Sequence, residues 1–74
     1  MIERLIAVVG EYVSVDRKDI TEETSLRQDL GLNSLDLVNL AVSVEHEFGV
    51  EISDRKLTMI KTVGDMIRHI ENAE

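Results

Sequence analysis

The chain has 74 residues, the size of one small domain, and we expect residues 1–74 to form a single domain. Fifteen acidic residues against eight basic ones give a net charge of −7. That charge disfavours binding to nucleic acid or to an anionic membrane surface and favours partners with basic patches. The absence of cysteine excludes a disulfide framework, a thiolate nucleophile and a sulfur-ligated zinc site.

The spacing of apolar residues predicts a first helix over residues 2–14. Its apolar positions are Ile2, Leu5, Ile6, Val9, Tyr12 and Val13. Glu3 and Arg4 interrupt the apolar start, which is typical of a helix rather than a signal peptide. No apolar run approaches the length of a membrane span, so we expect a cytoplasmic protein with no membrane insertion.

Residues 15–32 form a long polar connection. A loop of that length without structure is unusual in so small a domain. We therefore expect its apolar residues to attach it to the core, with the help of one short helical turn. These residues are Ile20, Leu26, Leu30 and Leu32.

The sequence of the second half of the chain predicts three more helices, over residues 34–48, 54–60 and 63–72. Gly49 is placed to end the first of them, and Thr62 to cap the last. The intervening Val50 and Ile52 are interpreted as a buried connection, since a lone strand would have no partner. The predicted fold is all-α, a four-helix bundle with a long first loop and a short third helix.

The methionines and histidines of this chain are given structural rather than functional interpretations. Met59 and Met66 are expected to fill the core. His46 and His69 lie too far apart in sequence to suggest a metal pair, so we expect both to be solvated and predict no metal site.

Asn33 is placed to cap the second helix, and Asp36 three residues later suggests a capping box. Ser34 then takes the first helical position with its hydroxyl facing solvent. One interpretation is that Ser34 only helps to start the helix. The other is that the helix N-terminus stabilises an anion attached to the serine, such as a phosphate ester.

The second helix has two apolar stripes when its residues are placed at about 100° per residue. One contains Leu37, Leu40, Ala41, Val44 and Phe48 and is expected to face the core. The other contains Leu35, Val38 and Val42. Either this helix is central and buried on both sides, or the second stripe is an exposed docking surface. We favour docking because a domain this small has few layers to cover both sides.

The segment DLGLNSLDLVNLAVSVEHEFGVEIS, residues 29–53, resembles the acyl carrier proteins of fatty-acid and polyketide synthesis. In that family an Asp-Ser-Leu motif opens the second helix after a loop that begins Asp-Leu-Gly. Here Asp29-Leu30-Gly31-Leu32 precedes Asn33-Ser34-Leu35-Asp36. The resemblance extends over nearly the whole chain, including its length, acidity and order of helices.

The resemblance implies a carrier and not an enzyme. Ser34 would bear phosphopantetheine derived from coenzyme A, whose thiol would hold acyl groups as thioesters. Asp36 would aid recognition by a phosphopantetheinyl transferase. Acyl-loading and chain-modifying enzymes with basic patches would be the other partners of a monomeric carrier. Their docking surface is predicted to contain Leu35, Val38, Asn39, Val42, Glu45 and His46. An acyl-chain cavity is predicted to contain Leu37, Leu40, Ala41, Val44, Leu57, Ile60 and Met66.

Several residues depart from the family's usual pattern. Asn33 replaces an aspartate, Asn39 and His46 replace acidic residues, and Ser53 replaces a proline. The third helix and the residues after it are also less acidic, with cations at Arg55, Lys56 and Lys61. These changes favour a specialised carrier with a restricted set of partners.

Two other functions remain open from the residues themselves. The first is an unmodified helical interaction domain that uses the second apolar stripe to bind one protein. The second is an aminoacyl or peptidyl carrier of the same fold, although the usual Gly-Gly before the serine motif is missing. An enzyme is a weaker alternative because no second catalytic group is evident to pair with Ser34.

Overall fold

The computed structural model describes residues 2–73. This part of the chain forms four α-helices, α1 (Ile2–Val9), α2 (Ser34–Phe48), α3 (Asp54–Met59) and α4 (Val63–Ala73). A short 3₁₀ turn at Arg17–Asp19 lies between α1 and α2. The only extended pairing described within residues 2–73 is an isolated antiparallel bridge between Ser25 and Thr62. The all-α prediction, with a long first loop and a short third helix, is confirmed.

α1 ends at Val9, so the prediction of a helix over residues 2–14 is wrong at its C-terminal end. After Gly10 the backbone continues in tighter turns, in which Glu11 N donates to Val8 O at 3.2 Å and Tyr12 N to Val9 O at 3.0 Å. Glycine is among the poorest helix formers, which favours this ending. Tyr12 and Val13 still pack against the core, so apolar spacing did not distinguish these turns from helix.

The long first loop is attached to the rest of the domain, as predicted. Ile20, Leu26 and Leu32 are buried. Its backbone also bonds to the connection between α3 and α4 and to the start of α4. Leu26 N donates to Lys61 O at 2.9 Å, and Gly64 N donates to Glu22 O at 2.8 Å. These bonds hold the loop against the end of the α3–α4 connection and the start of α4.

α2 has the bounds that its sequence predicts. It ends at Gly49, whose φ of 67° lies in the left-handed region that favours glycine. Val50 and Ile52 follow as a buried connection. α3 stops one residue before its predicted end, and Thr62 caps α4, where its Oγ1 accepts a hydrogen bond from Asp65 N at 3.1 Å.

The core lies between the helices and is wholly aliphatic among its fully buried side chains. The largest of these are Leu5, Leu26, Leu40, Met66 and Ile70. Met59 is 62% exposed, so the prediction that it fills the core is wrong. In the short α3 it is Leu57 that packs against the core, which leaves Met59 outside. Within residues 2–73, no helix has the length and apolar character needed to cross a membrane.

Candidate functional site

The N-terminus of α2 is closed by a reciprocal pair of hydrogen bonds. Asn33 Oδ1 accepts from Asp36 N at 2.9 Å, and Asp36 Oδ2 accepts from Asn33 N at 3.1 Å. The predicted capping box is therefore present, with aspartate in the place of the usual glutamate or glutamine. These bonds fix the backbone of the first turn of α2, which begins with Ser34.

Ser34 is exposed at the first position of α2. Its hydroxyl is not simply solvated, because Arg27 Nη2 donates a hydrogen bond to Ser34 Oγ at 3.0 Å. Sequence reasoning missed Arg27. The residue lies seven positions upstream in a loop, and no local pattern signals that the loop returns to the helix start.

A compact turn over residues 25–31 brings Arg27 back to Ser34. Asp29 N and Leu30 N both donate to Ser25 O at 3.1 Å, and Gly31 N donates to Arg27 O at 3.1 Å. Gly31 has a φ of 69°, which a residue with a side chain would adopt only with strain. The Asp-Leu-Gly segment thus reverses the chain just before α2.

A pocket of about 520 Å³ opens beside Ser34, between this turn, α2 and α3. Its apolar lining consists of Leu37, Val38, Leu57 and Ile60. Its polar lining consists of Ser25, Arg27, Gln28, Ser34, Asp54, Thr58 and Lys61. A group attached to Ser34 would therefore start at a pocket with both apolar and charged walls.

The second apolar stripe of α2 is exposed. Leu35 is 68% exposed, Val38 44% and Val42 46%, whereas the first stripe is buried at Leu37, Leu40, Ala41 and Val44. The alternative of a helix buried on both sides is therefore wrong for the described residues. Met59 in α3 is also an exposed apolar side chain.

The polar residues predicted to flank this stripe differ in their surroundings. Asn39 and His46 are exposed. Glu45 is half-buried, and its Oε2 accepts a hydrogen bond from Ile52 N at 2.7 Å. Glu45 thus stabilises the α2–α3 connection in addition to any contact with a partner. His69 is not simply solvated either, since its Nε2 lies 2.8 Å from Glu51 O.

The residues predicted to contain an acyl chain fall into two groups. Leu37, Leu57 and Ile60 line the pocket beside Ser34. Leu40, Ala41, Val44 and Met66 lie in the buried core. Leu37 and Ile60 are buried core residues as well, so the pocket wall is continuous with the core.

These features define a small helical domain that presents a serine at a helix start, next to an open pocket and an exposed apolar stripe. Residues 3–70 match the family described as "Phosphopantetheine attachment site". The chain is 46% identical over 65 residues to the acyl carrier protein of Thermotoga maritima, a match that covers 88% of this chain and 80% of that protein.

Two solved structures have a fold similar to that of this chain. A protein of Mycobacterium tuberculosis described as an acyl carrier protein has a TM-score of 0.87 and 37% identity, with 96% of this chain and 95% of that chain covered. The acyl carrier protein of Enterococcus faecalis has a TM-score of 0.86 at 23% identity, with 99% and 92% covered, and shows the likeness of fold.

The chain belongs to the phosphopantetheine-carrying acyl carrier protein family. It is a carrier of acyl groups rather than an enzyme, and its cofactor is covalently attached phosphopantetheine. Members of the family work with a phosphopantetheinyl transferase and with synthase and modifying enzymes.

Proposed function

We propose that Ser34 is the phosphopantetheine attachment site of a monomeric, single-domain cytoplasmic carrier. On this proposal the chain delivers acyl thioesters to enzymes of fatty-acid or of specialised acyl or polyketide synthesis. The observation that carries the proposal is the exposed Ser34 hydroxyl at the start of α2, beside an open pocket. The family is defined by such an attachment site, which supports the same assignment.

The chemistry of the chain is consistent with an externally supplied thiol. The chain has no cysteine, so an acyl thioester requires the thiol of the arm. In the loading step Ser34 Oγ forms a bond to the phosphorus nearer the pantetheine of coenzyme A. The pyrophosphate bond breaks, the adenosine bisphosphate leaves, and the serine proton passes to a base of the transferase. The start of α2 then faces the new phosphodiester, a position that favours an anion.

Intact-mass measurement tests the assignment of Ser34. After incubation with coenzyme A and a phosphopantetheinyl transferase, we expect the wild-type protein to gain the mass of one phosphopantetheine group. Ser34→Ala should gain nothing, whereas the matched control Ser14→Ala, also at an exposed serine, should gain the full mass. A gain that persists in Ser34→Ala would place the arm elsewhere.

The exposed stripe of α2 is proposed as the surface that partner enzymes bind. Leu35, Val38 and Val42 supply apolar contact area that no residue of this chain covers in the part that the structure describes. The flanking polar residues are Asn39, Glu45 and His46. Asp36 is proposed to aid the transferase, with one carboxylate oxygen bonded to Asn33 N and the other available.

A restricted set of partners is proposed from the charges on α2 and on α3 with the residues after it. Asn33, Asn39 and His46 bear no negative charge, and Arg55, Lys56 and Lys61 add positive charge on and after α3. Partners selected by a strongly acidic carrier surface would bind this one more weakly. Full activity with the housekeeping fatty-acid enzymes of the same host would contradict this proposal.

The pocket beside Ser34 is proposed as the place where an attached acyl chain enters the domain. Its apolar wall leads along α2 toward the aliphatic core, which would have to part to admit a longer chain. Acyl chains of increasing length on Ser34 should then shift the methyl NMR signals of Leu37, Leu57 and Ile60 first. Unchanged methyl signals with every chain would indicate an exposed chain.

A further inference from the structure

Arg27 is a cation without an acidic partner among residues 2–73. The ion pairs found there join Arg4 to Glu47, Lys18 to Asp16 and Arg68 to Asp65. The side chain of Arg27 makes one hydrogen bond in this part of the chain, to Ser34 Oγ. In a protein with a net charge of −7, a free guanidinium directed at one particular hydroxyl calls for an explanation.

The chemistry of the guanidinium group supplies one. Arginine has five N–H donors in a planar fork that fits phosphate oxygens, and only one of its nitrogens is engaged here, by a neutral hydroxyl. Esterification of Ser34 turns Oγ into a bridging oxygen and places one negative charge, shared by two non-bridging oxygens, on the adjacent phosphate group. A charged acceptor binds a guanidinium more strongly than a hydroxyl does.

We propose that Arg27 binds the phosphodiester of the arm and holds it against the start of α2. This inference rests on the proposed attachment of phosphopantetheine to Ser34. Arg27 is then a cofactor-binding residue supplied by the first loop, and it restrains the first atoms of the arm beside the pocket that it also lines.

The surrounding charges favour this contact. The residue before Ser34 is the neutral Asn33, and the carboxylate of Asp36 bonds to Asn33 N. Lys61 lines the same pocket and adds a second positive charge, against one carboxylate from Asp54. Arg27 can also move toward the phosphate at little cost because its side chain is exposed.

NMR of the guanidinium 15N–1H groups tests the contact in the native sequence. Three states are compared, namely Ser34→Ala, the unmodified wild type and the loaded wild type. We expect the Arg27 proton signal to move downfield in that order, as its acceptor changes from none to a hydroxyl to an anionic oxygen. A loaded protein whose Arg27 signal matches that of Ser34→Ala would overturn the inference.

The variant Arg27→Gln tests the same contact through the 31P signal of the phosphate. In the loaded protein, the 31P shift of Arg27→Gln should move toward the value measured in urea, where the arm is free. Loss of an exposed ion pair corresponds to a roughly two- to five-fold lower ratio of bound to free phosphate. Arg55→Gln is the matched control because Arg55 is exposed and does not line the pocket, and it should keep the wild-type shift.

The outcomes separate this inference from the function on which it rests. No mass gain in the wild type would refute the attachment of the arm itself. A normal mass gain with an Arg27→Gln shift equal to wild type would refute only the phosphate contact. If the transferase does not load Arg27→Gln, the NMR comparison of Ser34→Ala with the unmodified and the loaded wild type decides the question.

Discussion

Asp65 combines several hydrogen bonds at the start of α4. Its Oδ2 accepts from Lys61 N at 3.0 Å and from Thr62 N at 3.1 Å, and its Oδ1 pairs with the guanidinium of Arg68. The hydrogen bond from the Lys61 backbone is the largest cause that holds the pKa of the Asp65 carboxyl below its usual value. Partial burial acts in the opposite direction and is outweighed.

This pKa makes stability depend on pH. A carboxyl whose pKa is lower in the folded state stabilises the fold above its unfolded pKa of about 3.9 and loses that contribution as pH falls through its folded value. Asp65→Ala removes the acceptor for Lys61 N and Thr62 N at the start of α4, so we expect a cost of about 1 kcal/mol at neutral pH, similar to the loss of a helix-capping side chain. Urea denaturation at a series of pH values should show the difference from wild type shrinking as the solution becomes more acidic than about pH 4.

Asp19→Ala serves as the control for that series. Asp19 is exposed, and its side chain makes no hydrogen bond or ion pair within residues 2–73. Its substitution should leave stability within about 0.5 kcal/mol of wild type. A cost of Asp65→Ala that stays the same down to pH 2 would contradict the role given to the ionised carboxylate.

At the scale of the helix, α2 depends on the cap at its first turn. Asn33→Ala removes the acceptor for Asp36 N and should cost about 1 kcal/mol in the free energy of unfolding. Asn33→Asp keeps the acceptor and adds a charge that the helix N-terminus favours, so it should be neutral or slightly stabilising. Urea denaturation measures both variants. Asn39→Ala, at an exposed position within α2, is the control, and an equal loss there would argue against a cap-specific effect.

Substitution of leucine by alanine should affect stability differently in the two apolar stripes of α2. Leu40→Ala empties a fully buried position and should cost about 2–5 kcal/mol of stability. Leu35→Ala removes an exposed side chain and should leave stability within about 0.5 kcal/mol.

Leu35→Ala should impair the reaction with partner enzymes even though it leaves the stability of the fold nearly unchanged. Because Leu35 is the most exposed apolar residue of the proposed docking surface and lies next to Ser34, we expect roughly fivefold or more loss in kcat/KM of the phosphopantetheinyl transferase, or about 1 kcal/mol. The same kcat/KM for Leu35→Ala as for wild type would remove Leu35 from the proposed docking surface.

At the scale of the whole molecule, the first loop contacts both the start of α2 and the start of α4. Gly64 lies against this loop, where an added Cβ would be 3.0 Å from Glu22 O and 3.3 Å from Glu22 Cβ. The loop reaches Gly64 through the backbone bond from Gly64 N to Glu22 O. The absence of a side chain at Gly64 therefore lets the loop lie this close to the helix.

Gly64→Ala should push the loop away from α4. We expect a loss of about 1–3 kcal/mol, as for other overpacked sites. Amide hydrogen exchange should become faster at Leu26, Val63 and residue 64, whose N–H groups bond across this contact. Amides inside α1 provide the internal control, and faster exchange there at an unchanged loop would contradict a local effect.

Local signals predicted most of the elements. The cap at Asn33 and the left-handed Gly49 are both encoded within a few residues of the helix that they bound, so the limits of α2 were predictable. The end of α1 was not, because tight turns after Gly10 still place Tyr12 and Val13 against the core. The exposure of Met59 was also missed, since a six-residue helix is too short for its apolar spacing to define a face.

The sequence by itself determined the helical class of the fold, the start and end of α2 and the prominence of Ser34, because these depend on short-range spacing and capping. Only the tertiary structure decided that Arg27 donates to Ser34 and that the first loop lies across the start of α4. Both are contacts between segments that the loop must bring together, and their geometry follows from the turn at Gly31 and from burial of Leu26 and Leu32. The site is therefore a serine presented by a locally encoded helix, with a cation placed beside it by the fold.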